Sequence, residues 1–145
     1  MKRIATIALS IVATLLTSGS AFAQNQGVKA TIPFNFNAGG NWLPAGTYTI
    51  GAQPEGGSVT ILRVSSRDQK VGTFAMGVKD ASEPGRRSEM VFHAYGDQYF
   101  LSEIHYPHSS TKVCLPMSKT EKNTRKRAEE ASLRVNDNVL IALNN

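Results

Sequence analysis

Two histidines and the only cysteine of the chain lie close together in the sequence. His105 and His108 are separated by two residues, and Cys114 follows six positions later. Two imidazoles and a thiolate could hold copper or zinc. The sequence offers no evident fourth ligand, and Cys114 lies in an apolar run. We therefore interpret the histidines as polar surface residues and Cys114 as a buried, inert thiol, and we expect neither a metal nor another cofactor.

Hydrolase chemistry is a second possibility in the same region. Glu103 and His105 share one face of a strand by alternation, and a two-residue hairpin loop would place Ser88 opposite His105. Serine, histidine and glutamate are the residue types of a nucleophilic triad. No Gly-x-Ser-x-Gly turn surrounds Ser88, however. We therefore expect no catalytic residues and keep a hydrolase as an alternative.

Trp42 is the candidate for ligand binding, because it lies in a loop between two glycine-containing turns. An exposed indole in a loop could stack on a ligand. An apolar residue, Leu43, follows it directly. We interpret Trp42 and Leu43 as a cap over one end of the core.

A basic cluster near the C-terminus could attract a polyanion. Acidic residues at i,i+4 spacing, such as Glu129 after Arg125, neutralise most of this charge on a helix. We interpret the cluster as a solvated helix face and expect no nucleic-acid partner. Its members are Lys119, Lys122, Arg125, Lys126 and Arg127.

A β-hairpin over residues 88–106 is the element that must position most of these side chains. Gly96-Asp97 lies between two apolar runs and is a residue pair typical of two-residue hairpin loops. If Tyr95 pairs with Gln98, three cross-strand pairs lie on the same face of the hairpin, and we expect that face to be buried. The predicted partners are Ala94 with Tyr99, Phe92 with Leu101, and Met90 with Glu103, while His93 falls on the opposite face as a partly covered surface residue.

The remaining chain predicts further short strands and one helix. Alternating apolar residues indicate strands at 28–36, 47–53, 58–64, 71–78 and 111–115, and an apolar run indicates a last one at 138–143. Residues 37–46 are predicted to form a loop. Pro33 cannot donate a ladder hydrogen bond, so the first strand is predicted to be an edge strand or to have its Pro33 end project beyond its partner. Ser118 and Glu121 form a capping-box pattern before a helix over 118–133, whose narrow apolar stripe is Thr124, Ala128, Ala131 and Val135.

These elements predict an all-β domain. We expect a single antiparallel β-sandwich or small up-and-down barrel of seven or eight short strands, with one C-terminal helix before the last strand.

The N-terminus has the pattern of a secretory signal peptide. Lys2 and Arg3 precede an apolar run over 4–16, and Ala21-Phe22-Ala23 forms a small-x-small cleavage site. The apolar run is shorter than the roughly 20 residues that a membrane-spanning helix needs. We therefore predict residues 1–23 as the signal peptide and residues 24–145 as a single exported β domain, beginning at Gln24.

Four sequence motifs resemble those of a group of small, uncharacterised bacterial proteins that carry signal peptides. The resemblance spans nearly all of the chain after the signal peptide, and it implies an exported β-rich domain without an assigned activity. The motifs are Ile32-Pro33-Phe34-x-Phe36, Leu43-Pro44-Ala45-Gly46-Thr47-Tyr48, Val91-Phe92-His93-x-Tyr95-Gly96-x-x-Tyr99-Phe100-Leu101 and Leu115-Pro116-x-Ser118.

Taken together, the sequence favours an exported, periplasmic or secreted, non-enzymatic β module. We expect it to bind an envelope component or to assemble with its own kind. A lipocalin-like carrier of a small apolar ligand is the first alternative, because a strand meander followed by a helix and a strand resembles such barrels. A hydrolase is the second.

Overall fold

The computed structural model describes residues 27–83, 85–132 and 135–144. The predicted signal peptide and Gln24 lie outside the described residues. The described ranges contain ten strands and the helix α1 (Lys119–Glu130). The strands are β1 (Val28–Ile32), β2 (Phe36–Ala38), β3 (Asn41–Leu43), β4 (Gly46–Gly56), β5 (Val59–Ser66), β6 (Gly72–Ala81), β7 (Glu89–Tyr95), β8 (Gln98–His105), β9 (Thr111–Cys114) and β10 (Val135–Ala142).

All ten strands belong to one mixed sheet. Its main path runs β1-β4-β5-β6-β9-β8-β2-β3, and β7 pairs with both β8 and β10. Every strand pair is antiparallel except β2 with β8. An isolated bridge between Lys29 and Asn144, with N–O distances of 2.9 and 2.8 Å, brings the end of the chain beside β1. The predicted all-β class with one C-terminal helix is therefore confirmed. The sheet is not closed into a barrel, so the barrel alternative is not the form observed.

Nearly every strand contributes to one hydrophobic core. Buried residues of β1 to β9 form a single cluster, and Val139 and Ile141 of β10 pack against it. Phe36 makes edge-to-face contacts with Tyr48 and Phe92, at centroid distances of 5.2 and 5.5 Å. The sheet therefore curves around one core whose centre is filled by aromatic rings.

The first predicted strand is divided, and the predicted loop after it contains two strands. β1 ends at Ile32 because Pro33 cannot donate a ladder hydrogen bond. The Asn35 side chain accepts a hydrogen bond from the Ala45 backbone N–H at 3.0 Å and holds the bend. β2 and β3 then form a hairpin through two glycines with positive φ, Gly39 and Gly40. The prediction of seven or eight strands was therefore too low.

The central hairpin has the predicted loop and the predicted register as far as Phe92 and Leu101. Tyr95 pairs with Gln98, and Gly96 adopts a φ of 64° at the first loop position, the pattern of a type II′ turn. Beyond Leu101 the register shifts, because Ser102 is the extra residue of a β-bulge. Met90 therefore pairs with Ile104 rather than with Glu103.

The bulge changes which side chains of β8 face the core. Leu101 and Ile104 are both buried in the main cluster, although they are three positions apart. The Ser102 hydroxyl donates to the Val91 carbonyl at 3.0 Å, and the Ser102 carbonyl accepts from the Leu115 N–H at 2.8 Å. Glu103 consequently lies on the outer face.

Helix α1 begins as the sequence predicts. The Ser118 hydroxyl accepts from the Glu121 N–H at 3.1 Å, which is half of a capping box. The Glu121 side chain does not return to Ser118 but is buried between the helix and the hairpin. Of the predicted stripe, Ala128 is buried with Tyr95 and Phe100 in a second, smaller cluster. Ala131 is exposed at the helix end, and Val135 belongs to β10, which begins earlier than predicted.

Two phenylalanines test the assignment of faces. Phe92→Ala removes a ring that is fully buried in the main core, so it should lower the free energy of unfolding by about 3–5 kcal/mol. Phe74→Ala removes a ring that is 62% exposed and should change it by about 0.5 kcal/mol or less. Denaturant melts of both variants measure the difference. Equal losses would contradict the described burial.

Candidate functional site

An apolar stripe crosses the outer face of β5 and β6. Phe74 and Met76 are 62% and 65% exposed, and Val78 is 48% exposed. Cross-strand pairing places Met76 opposite Ile61 and Val78 opposite Val59 on the same face. We call these five residues the apolar stripe. The alternation of residues 71–78 predicted the strand, but its large apolar side chains face outward.

Small residues occupy the inner face of β6 because there is no room for larger ones. Ala75 and Gly77 point inward. A Cβ atom on Gly77 would clash with the Val113 side chain, and the Cβ of Ala75 lies 2.8 Å from the place where Gly39 would carry one. The core is therefore complete without the large side chains of β6.

A polar row borders the apolar stripe on the same face. Cys114 of β9 lies between Val78 and Glu103, and Lys112 lies between Asp80 and His105. The Lys112 ammonium donates to Glu103 Oε1 at 3.0 Å, and His105 Nε2 lies 3.0 Å from Glu103 Oε2. The Glu103 carboxylate thus has a partner on each oxygen.

The second ring nitrogen of His105 contacts a serine from the loop after β6. Ser82 Oγ lies 3.1 Å from His105 Nδ1. Ser88, the serine predicted for this place, does not face His105, because the bulge brings Glu89 opposite it. If Nε2 carries the proton that bonds Glu103, Nδ1 can accept the proton of Ser82. The series Ser82–His105–Glu103 can then act as a nucleophile, a base and an orienting carboxylate.

Charge and burial set the acidity of two groups in the polar row. Burial alone would raise the pKa of Glu103, but the hydrogen bonds from Lys112 and His105 outweigh it and hold the pKa below its ordinary value of 4.5. Burial raises the pKa of the Cys114 thiol above its ordinary value, and Lys112 lowers it only in part. Cys114 is therefore mostly a thiol at neutral pH and a weak nucleophile.

The three metal candidates do not converge. His105 is buried rather than on the surface, and its two ring nitrogens bond Glu103 and Ser82. His108 lies beyond the end of β8 with a φ of 56°. Cys114 is half-buried opposite Glu103. Among the described residues, no group of three or more His, Cys, Asp or Glu side chains is placed to hold a metal ion.

Trp42, the ligand-binding candidate, is half-exposed and lies at the sheet edge formed by β3. Its ring contacts Phe100 at a centroid distance of 5.4 Å, and Leu43 beside it is buried in the main core. Trp42 therefore covers Phe100, which belongs to the smaller cluster with Tyr95 and Ala128. Trp42 is not part of the apolar stripe.

The sequence did not predict a buried polar contact between α1 and the hairpin. His93 Nδ1 lies 2.8 Å from Glu121 Oε1, and the Tyr95 hydroxyl donates to the same oxygen at 3.3 Å. Burial, together with the Glu121 carboxylate, raises the pKa of Tyr95 to about 12. The alternation that places His93 and Tyr95 on one face was the available signal, but only the fold brings Glu121 to them.

The basic cluster lies along the exposed side of α1. Arg125 Nε donates to Glu129 Oε1 at 2.8 Å, which is one of the predicted i,i+4 pairs. An open groove over this side is lined by Met117, Lys119, Lys122, Asn123, Arg125, Lys126 and Glu129.

No family model, curated protein or solved structure matches this chain. Within the described ranges, no helix is both long enough and apolar enough to cross a membrane.

The Glu103–Lys112 pair should make stability sensitive to acid. Because the folded-state pKa of Glu103 is lowered, its contribution is present above pH 4.5 and is lost as the pH falls through the folded-state value. Lys112→Met should remove about 0.2–1 kcal/mol at neutral pH and reduce this acid sensitivity. Lys79→Met is the control, because Lys79 is an exposed lysine on the neighbouring strand β6.

Denaturant melts at neutral pH and at a series of acid pH values measure both effects. Lys112→Met should be less stable than Lys79→Met at neutral pH. The two variants should become equally stable once Glu103 is protonated, because Lys112 then has no carboxylate to pair with. A difference that persists at low pH would show that Lys112 acts through packing instead.

Proposed function

We propose that the protein is an exported, non-enzymatic binding module that acts through the apolar stripe on its outer face. The observation that carries this proposal is the orientation of β6. Its large side chains, Phe74, Met76 and Val78, face solvent, while the inner face carries Ala75 and Gly77. A strand that served only its own core would have the opposite arrangement.

The size and setting of the apolar stripe support a docking role. Four of its five side chains are 38–65% exposed, which leaves an apolar area of a few hundred Å². The largest apolar patch on a protein surface is often functional at this size, and an apolar centre with a polar rim is the arrangement found in protein interfaces. The polar row with Lys112 and Glu103 supplies such a border on one side.

The proposed location is the periplasm or the extracellular space. The signal-peptide pattern of residues 1–23 supports it. Both proposed occupants of the apolar stripe, an envelope component and a second copy of the chain, are available after export.

A lipocalin-like carrier receives less support. Such a carrier needs a closed barrel around an apolar void. The sheet here is open, and the fully buried rings of Phe36, Tyr48 and Phe92 fill the centre of the core.

Site-specific photo-crosslinking in cells that export the protein tests the binding module. A photoreactive residue in place of Met76 should give a covalent adduct, because Met76 lies at the centre of the stripe. The same residue in place of Thr120, which is exposed on α1, should give much less. The mass of the adduct identifies an envelope component or a second copy. Equal crosslinking at both positions, or none at position 76, would contradict the proposal.

A hydrolase is the second candidate, and the hydrogen-bonded series Ser82–His105–Glu103 favours it. Its carboxylate is shared with Lys112, and the serine binds Nδ1 rather than Nε2, the reverse of the Ser-His-Asp arrangement in serine proteases. The same contacts also serve a structural role, because they tie the loop after β6 to β8.

A comparison of the parent with Ser82→Ala separates the two roles. Under the proposed function, the parent hydrolyses fluorogenic ester and amide substrates no faster than the variant. A rate that falls by about 100-fold or more in Ser82→Ala, with the fold intact by circular dichroism, would establish a hydrolase instead.

A further inference from the structure

Opposite charges lie at the two ends of the apolar stripe. Arg63 of β5 is the cross-strand partner of Phe74 at one end. Asp80 follows Val78 on the same face of β6 at the other end. The six positions from Phe74 to Asp80 span about 20 Å along an extended strand. Both charged residues are exposed.

Neither charged group forms an ion pair within the described part of the chain, although the Asp80 carboxylate contributes to the raised pKa of Lys112. No ion pair to Arg63 is formed there, and its cross-strand neighbour on β4 is Gly51, which has no side chain to cover it. The Asp80 carboxylate accepts one hydrogen bond, from the Ala81 N–H at 2.8 Å. Lys112, the cation opposite Asp80, donates to Glu103.

From this arrangement we infer that a second copy of the chain covers the apolar stripe, with the two β6 strands antiparallel about a twofold axis near Gly77. This inference rests on the proposed function and names its partner. The axis places Arg63 of each copy beside the partner's Asp80. It also places Met76 of each copy against the partner's Val78.

The stripe meets the requirement of such an interface, which is self-complementarity. In a twofold dimer the same patch is used by both copies, so its charges must match their own rotated image. Reversal about Gly77 exchanges the Phe74 end with the Asp80 end, which brings positive charge against negative charge at both ends. The apolar residues between them can interdigitate as in two sheets packed about 10 Å apart.

The exposed area indicates a dimer of limited strength. A stable interface of standard size covers about 800 Å² on each partner. The apolar stripe supplies a few hundred Å² as the centre of the interface, and Arg63, Asp80 and the polar row supply its rim. We expect a dissociation constant on the order of micromolar, with the ion pairs fixing the orientation more than the affinity.

A charge-exchange experiment tests this dimer. Protein purified from exporting cells is examined by sedimentation equilibrium over a range of concentrations. The parent should form dimers as its concentration rises. Arg63→Asp and Asp80→Arg should each weaken dimerisation about tenfold or more, because each creates two like-charge contacts. The double variant should restore it to within a few-fold, because each pair reappears with its partners exchanged.

Arg127→Asp is the matched control. Arg127 is exposed on α1, which contacts β7 and β10 rather than the stripe, and its reversal changes the net charge as Arg63→Asp does. It should leave the dimer unchanged. Circular dichroism confirms that each variant is folded.

Two results would overturn the inference. If both single variants weaken the dimer and the double variant does not recover, Arg63 does not face the partner's Asp80. If the parent stays monomeric at all concentrations, the stripe does not bind its own copy. The proposed function is then tested separately by the crosslinking at position 76. An adduct with a different component would support it, and the absence of any adduct would contradict it.

Discussion

Ser102 is the extra residue of the β-bulge in β8, and the positions of the outer-face groups on this strand depend on it. Before the bulge, Leu101 faces the core. After it, Ile104 does so, and Glu103 and His105 face outward beside β9. In a regular strand Glu103 would continue the buried face of Leu101, at the cost of burying its charge. The hydrogen bonds of Ser102 to Val91 and Leu115 satisfy the polar groups that the bulge leaves without ladder partners.

The bulge also marks where β8 changes its neighbour on one edge. Phe100 pairs with β2 before it, and Glu103 pairs with β9 after it, while β7 follows the other edge throughout. β8 therefore joins the short β2–β3 hairpin to the strands that carry the apolar stripe. The result is an outer face on which a polar row lies directly beside an apolar surface. An interaction site needs this combination, since the apolar part provides affinity and the polar part provides orientation.

Sequence patterns predicted the local features and missed those that depend on contacts between distant segments. Gly96 predicted the hairpin loop and Ser118 the start of the helix, because each acts on the backbone beside it. The end of the first strand at Ile32 was not predicted, because the alternation of apolar residues continues past Pro33 to Phe36. The change of alternation from Leu101 to Ile104 was a usable signal for the bulge. The outward orientation of Phe74 had no such signal. Alternation shows that Phe74, Met76 and Val78 share a face but not which face is the inner one, and the space on the inner face is limited by residues distant in the sequence, such as Val113. Ser82 was missed because its contact with His105 joins two segments that are distant in the sequence.

The bulge and the small inner residues of β6 divide the apolar side chains between a filled core and an exposed outer face. Methyl NMR with a soluble nitroxide, on a sample dilute enough to be monomeric, measures this division. We expect strong broadening of the Met76 methyl signal and protection of the Met90, Leu101 and Ile104 signals. Protection of Met76 in the monomer, or broadening of Ile104 to the same degree as Met76, would contradict the division.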